Sequence, residues 1–130
     1  TVARLQEISP PYIRMRNPVD IWGAATVRGV EFGYREGMEA VLRDPAIDAV
    51  IPILMLTKEV GVPSFDFLLN LRATYPRKPI LVGFSGDKDC MEECKAYLEP
   101  RGIPTFFELE APFVALSILV RCAQAMARPR

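Results

Sequence analysis

Apolar positions along this chain fall into short blocks separated by turn-forming residues. The longest nearly unbroken block lies within residues 48–58, Asp48-Ala49-Val50-Ile51-Pro52-Ile53-Leu54-Met55-Leu56-Thr57-Lys58. It is too short to span a bilayer, which needs about 20 apolar residues. It also lacks the alternation of a strand wet on one side. A run apolar at every position, with Val and Ile frequent, suits a strand covered on both faces, as in a parallel sheet flanked by helices. The polar, turn-rich residues 57–64 follow it. In open α/β sheets, ligands bind at the loops after the carboxyl ends of strands.

The remaining blocks have helical or strand spacing. Val2, Leu5 and Ile8 mark one helical face, which Ser9-Pro10-Pro11 ends. Asn17-Pro18-Val19-Asp20-Ile21-Trp22-Gly23 reads as a short strand or a loop entering a glycine turn, because Pro18 pushes Asn17 out of the α region. A helix is predicted over residues 29–43, with Tyr34, Met38, Val41 and Leu42 inward. After the central strand, Ser64 is the expected N-cap of a helix that buries Phe65, Leu68, Leu69 and Ala73. Residues 79–84 form a second covered strand. Ser85-Gly86-Asp87 then opens a helix through about Leu98, with Met91, Cys94 and Leu98 inward and Gly102 beyond its end. Residues 103–109 are a third strand. Pro112 stands in the first turn of a last helix that carries Phe113, Leu116, Val120 and Ala123 inward and frays at Pro129. This alternation predicts a three-layer α/β domain with about four parallel strands, the first the shortest, and helices on both faces.

Composition narrows the classes of function. The 130 residues make one domain, 50% apolar and 25% charged, which is the balance of an ordinary folded protein. Lys+Arg and Asp+Glu are 16 each, so no basic excess points to nucleic acid or to an anionic membrane. Three scattered cysteines are no disulfide framework, and a reducing cytoplasm is the expected compartment. There is no histidine, which removes Ser-His and Cys-His dyads, His-metal sites and phosphohistidine chemistry from this segment.

Each group that can carry chemistry also has a structural reading. Cys90 and Cys94 stand four apart on one helix, where two sulfurs can meet, but further metal ligands are lacking and Cys122 is remote. Trp22, Tyr34, Phe106, Phe107 and Phe113 line a pocket or fill the core. Ser85-Gly86-Asp87 is either an anion-binding turn before a helix or a tight turn capped by Asp87, whose charge repels an anion. Thr57 and Lys58 precede the helix at Ser64. A hydroxyl, an ammonium and a helix N-terminus together make a phosphate site, whereas a solvent-facing loop lysine is equally ordinary. Asn17 and Asp20 before Gly23 are residues that brace turns through side-chain to backbone bonds.

Several of these segments also resemble the NDP-forming acyl-CoA synthetases, relatives of succinyl-CoA ligase. The resemblance rests on Asn17-Pro18-Val19-Asp20-Ile21, on Tyr34-Arg35-Glu36-Gly37-Met38 and on Asp44-Pro45-Ala46-Ile47-Asp48-Ala49-Val50 leading into the central strand. It continues through Lys78-Pro79-Ile80-Leu81-Val82, Leu98, Gly102-Ile103-Pro104 and residues 110–116. It implies a flavodoxin-like (Rossmann-like) domain over residues 16–128, with residues 1–15 as the end of an upstream helix or linker, in a larger multidomain protein. The matching part corresponds to the carboxyl-terminal domain of the succinyl-CoA ligase β subunit.

The family's reaction is acyl-CoA, NDP and phosphate to acid, CoA and NTP through a phosphohistidine. The resemblance implies that this histidine, CoA, the nucleotide and Mg are held by neighbouring CoA-binding, phosphohistidine and ATP-grasp domains or subunits. This domain itself would bind no cofactor and carry no catalytic residue or metal. It would contribute a phosphate-facing loop at Thr57 and Lys58 leading to the helix after Ser64, with Asn17, Asp20 and Gly23 at a domain interface or turn. The succinyl-CoA ligases have a glycine pair where this chain has Leu56-Thr57, whereas the NDP-forming acyl-CoA synthetases often have Thr-Pro there, which Thr57 fits and Lys58 does not, and Gly23-Ala24-Ala25 replaces a richer glycine run. The alternative is a non-catalytic regulatory or interaction module of the same fold, for example in a fused acyltransferase. Homo-oligomerisation stays open.

Overall fold

A computed structural model describes residues 1–59 and 62–127. The fraying expected at Pro129 lies outside them. The elements are α1 (Val2–Ile8), α2 (Trp22–Arg28), α3 (Val30–Leu42), β1 (Ile53–Leu56), α4 (Asp66–Thr74), β2 (Val82–Gly86), α5 (Lys88–Leu98), a 3₁₀ turn (Glu99–Arg101), β3 (Thr105–Phe106) and α6 (Ala111–Ala127). The sheet has three strands in the order β1-β2-β3, parallel throughout. Ile53 pairs with Gly83, Leu56 with Gly86 and Val82 with Thr105. The chain is thus an α/β protein with a small parallel sheet.

A fourth strand is not present among the described residues. Residues 17–21, read as a strand or loop, are irregular, and the Asn17–Pro18 peptide is cis. Pro18 offers no N–H to a ladder, and the Asp20 carboxylate instead accepts the N–H of Trp22 at 2.9 Å, which turns the chain into α2. The third strand is also shorter than the expected 103–109, because the chain bends after Phe106 toward α6.

The core lies mainly on one side of the sheet. Leu54, Leu56, Val82 and Phe84 meet Tyr34, Met38 and Leu42 of α3, Leu68 and Leu71 of α4, and Cys90, Cys94 and Leu98 of α5. The helical faces follow the predicted spacing with local changes. On α4, Phe67 and Leu71 are buried where Ala73 was expected, and Ala73 is exposed. On α5, Cys90 is buried and Met91 only half so. Gly102, at φ 80°, closes the 3₁₀ turn in the left-handed region that favours glycine.

The central block is therefore not covered evenly. Successive strand residues face opposite sides. Leu54 and Leu56 are fully buried, while Ile53 is half-buried and Met55 is 38% exposed. On that second side Ile53 Cδ1 and Pro112 Cγ both border the space beside Gly83. Pro112 is the one buried residue of α6, and Phe113, Val120 and Ala123, expected inward, are exposed. α6 meets β2 and β3, Ala115, Leu116 and Ser117 are half-buried, and from Ile118 onward its residues are exposed.

Residues 1–15 pack onto the domain. Leu5, Ile8 and Met15 form a second apolar cluster with Ala40 on the outer side of α3.

Candidate functional site

The site proposed by the sequence lies at the carboxyl end of the sheet. β1 ends at Leu56 and runs into Thr57, which is half-buried, and Lys58, which is exposed. The backbone N–H of Lys58 donates to the Asp87 carboxylate at 3.0 Å, and its ammonium stands 3.6 Å from Asp89. Asp87 also donates its own N–H to the Leu56 carbonyl at 2.8 Å. Lys58 is thereby tied to the first turn of α5. Its ion pair with Asp89 is solvent-exposed on both sides and contributes little to stability.

Ser64 is anchored elsewhere. Its N–H donates to the Glu31 carboxylate of α3 at 3.2 Å. Its hydroxyl accepts the N–H of Asp66, the first residue of α4, at 3.4 Å, while Phe65 holds the cap position. The Ser64 hydroxyl thus contributes to the helix entry that the sequence assigned to it, from one residue further out. Asp66 is in turn bonded by the Tyr97 hydroxyl, and that contact raises the phenol's pKa above its ordinary value. Beside Ser64 a cleft of about 410 Å³ runs between α3 and α4, lined by Glu31, Arg35, Asp66, Asn70 and Thr74.

This arrangement decides what the edge can do chemically. Helix N-termini present N–H groups that suit an anion. The N–H groups of Lys58, in the turn after β1, and of Ser64, two residues before α4, are not among these helix donors, and they hold carboxylate oxygens from Asp87 and Glu31. A phosphate brought to this edge meets the negative charge of both carboxylates. Glu31 escaped the sequence reading, since nothing in the linear order shows that it meets Ser64, 33 positions away.

The other predicted residues make contacts of their own. Asn17 is exposed ahead of Pro18, and Asp20 shapes the entry to α2. Gly23 is buried in α2, where a Cβ would come within 2.2 Å of Ile13 Cδ1 and 2.8 Å of Pro10 Cδ. Small size at that position lets α2 lie against the 10–13 segment. Among the described residues no group of three or more His, Cys, Asp or Glu side chains is placed to hold a metal ion. Cys90 and Cys94 are buried, and burial, with a smaller contribution from Glu93, pushes the Cys94 thiol up to about 12. A thiol so raised is a poor nucleophile near neutral pH.

Comparison with known proteins gives one answer. The chain is 29% identical over 109 residues, 82% of its length, to ADP-forming acetate–CoA ligase II of Archaeoglobus fulgidus. It is 26% identical over all 130 residues to ADP-forming acetate–CoA ligase I of the same organism. It is 29% identical over 128 residues, 95% of its length, to the alpha subunit of ADP-forming acetate–CoA ligase II of Pyrococcus furiosus. The chain resembles the NDP-forming acyl-CoA synthetases. It spans 16%, 17% and 27% of the three relatives' lengths, so it corresponds to one part of each ligase. No family model matches the chain, and no solved structure does. Among the described residues no helix is long and apolar enough to cross a membrane.

Proposed function

We propose that this chain is one domain of an NDP-forming acyl-CoA synthetase, an acid–CoA ligase that converts acyl-CoA, NDP and phosphate to acid, CoA and NTP. In this reading residues 16–128 are a flavodoxin-like unit of a larger cytoplasmic protein. The phosphohistidine, CoA, the nucleotide and Mg belong to neighbouring CoA-binding, phosphohistidine and ATP-grasp domains or subunits. Thr57, Lys58 and the helix after Ser64 face the phosphate, and this domain binds no cofactor of its own. The observation that supports it is the agreement of three relatives, all ADP-forming acetate–CoA ligases, over 82%, 100% and 95% of the chain. The lack of histidine fits a part that positions phosphate rather than carries the phosphoryl group.

The test is the complete gene product with acetyl-CoA, ADP and phosphate, read as ATP formed and CoA released. Turnover that falls in Thr57→Ala/Lys58→Ala supports both the ligase and its phosphate edge. Unchanged turnover in that variant removes the edge from the mechanism, and no turnover in the parent removes the ligase.

One observation favours a second reading, a non-catalytic regulatory or interaction module of the same fold. The Asp87 and Glu31 carboxylates hold the N–H groups of Lys58 and Ser64 beside the start of α4, and their negative charge opposes the approach of a phosphate. Under this reading the complete product makes no ATP, and Glu31→Gln does not change its response to phosphate.

A further inference from the structure

We infer that α6, together with Ile53 and Met55 on the thinly covered side of β1, is the face on which a neighbouring domain or subunit of the protein docks. The inference rests on the ligase reading for the occupant's identity and on the structure for the face.

α6 has the composition of a buried helix and the environment of an exposed one. Its 17 residues carry a single charged side chain, Arg121. Phe113 is 56% exposed, Val114 58%, Ile118 53%, Leu119 49%, Val120 46% and Met126 87%. Helix positions advance by about 100° each. Phe113 and Val120 therefore share one side, Val114 and Ile118 a second, and Leu119 and Met126 a third. A helix apolar all round is normally enclosed by other elements, and most of the stability of helices in proteins comes from such packing.

Size and shape select the occupant. Those six side chains expose apolar surface on the order of 500 Å², the upper end of what a monomer leaves bare. Leu109, two residues before α6, and Met55, exposed by 47% and 38%, add to it, whereas Phe107 lies on the α5 side against Phe84 and Lys95. Together they approach the roughly 800 Å² per partner of a standard interface. A second copy laying its own α6 alongside would cover one of the three sides and leave two in water. A larger partner with an apolar groove encloses all three. Such a partner has room in the relatives: the chain spans only 16% and 17% of the two Archaeoglobus ligases, and the Pyrococcus relative is named as an alpha subunit. The groove should be uncharged except for an acceptor opposite Arg121, whose guanidinium among the described residues donates to Ser117 on its own helix at 3.1 Å.

Cys122 is a reporter on this helix. It is exposed, while Cys90 and Cys94 are buried. In the complete gene product, purified with any subunit that accompanies it, iodoacetamide should label Cys122 as slowly as the two core cysteines. Ile118→Lys should speed that labelling by about ten-fold or more, since thiol reactivity follows access. Labelling of Cys122 at the rate of a free thiol overturns the inference. So does protection that vanishes on dilution while the mass halves, which assigns the face to a second copy. Ligase turnover with a freely labelled Cys122 refutes the docking face and keeps the ligase reading. A protected Cys122 without turnover does the reverse.

Discussion

The hydroxyl of Tyr34 donates to the carbonyl oxygen of Ile53 at 2.8 Å and accepts the N–H of Met55 at 2.9 Å. β1 is an edge of the sheet, so among the described residues these two backbone groups face no neighbouring strand. A helix residue fills the place of that strand with one oxygen that acts in both directions. Burial raises the phenol's pKa, and the Met55 N–H partly offsets the rise. Tyr34→Phe keeps the packing and removes the hydroxyl. Its stability should fall by about 1 kcal/mol, the low end for lost hydrogen bonds because water can reach Met55. The freed edge should also invite strand pairing between molecules. Urea titration checks the first effect and light scattering the second.

Gly86 has φ 128°, and a Cβ there would stand 2.1 Å from the carbonyl oxygen of Leu56. Both the conformation and the neighbouring backbone exclude a side chain. Gly86→Ala should cost about 3 kcal/mol or more, read as a lower urea midpoint. It should also separate Asp87 from Lys58, because the same turn sets both.

The ammonium of Lys78 donates to the carbonyls of Leu42 and Asp44 at 2.8 and 2.6 Å. These carbonyls close α3, where a cation also favours the helix dipole. Lys78→Met retains the stem and removes the charge. A loss of about 1.5 kcal/mol is expected in chemical denaturation, with faster amide exchange in the last turn of α3.

Alkaline pH should weaken the fold in a defined direction. The Cys94 thiol is raised from an ordinary 9.0 to about 12, and the Tyr34 phenol is raised from 10.0. Above pH 9.0 the unfolded chain loses the Cys94 proton while the folded chain keeps it, so the unfolded state binds fewer protons and stability falls as pH rises. The contribution is complete below pH 9.0 and declines toward about 12. Urea midpoints measured at rising pH should drop beyond 9.0, and Cys94→Ala should flatten the first part of that drop.

Much of the architecture was readable before any coordinates. The inward positions Tyr34, Met38 and Leu42 are those that the helical spacing selects, and Gly102 stands where a left-handed residue is required. The α6 assignment shows the limit. Its length and first-turn proline follow from local pattern, but apolar residues around its whole circumference define no preferred side, so Phe113 and Val120 were assigned inward although both lie in solvent.

The candidate edge divides in the same way. That Thr57, Lys58 and Ser64 follow the central strand is a matter of chain order, and so is the lack of any histidine. That Asp87 meets the N–H of Lys58 and Glu31 the N–H of Ser64, across 29 and 33 residues, was settled only by packing. Periodicity is a property of neighbours in the chain and fixes which elements form. The meeting of a carboxylate with a distant N–H depends on how those elements stack, and that is decided by the shape of the whole core.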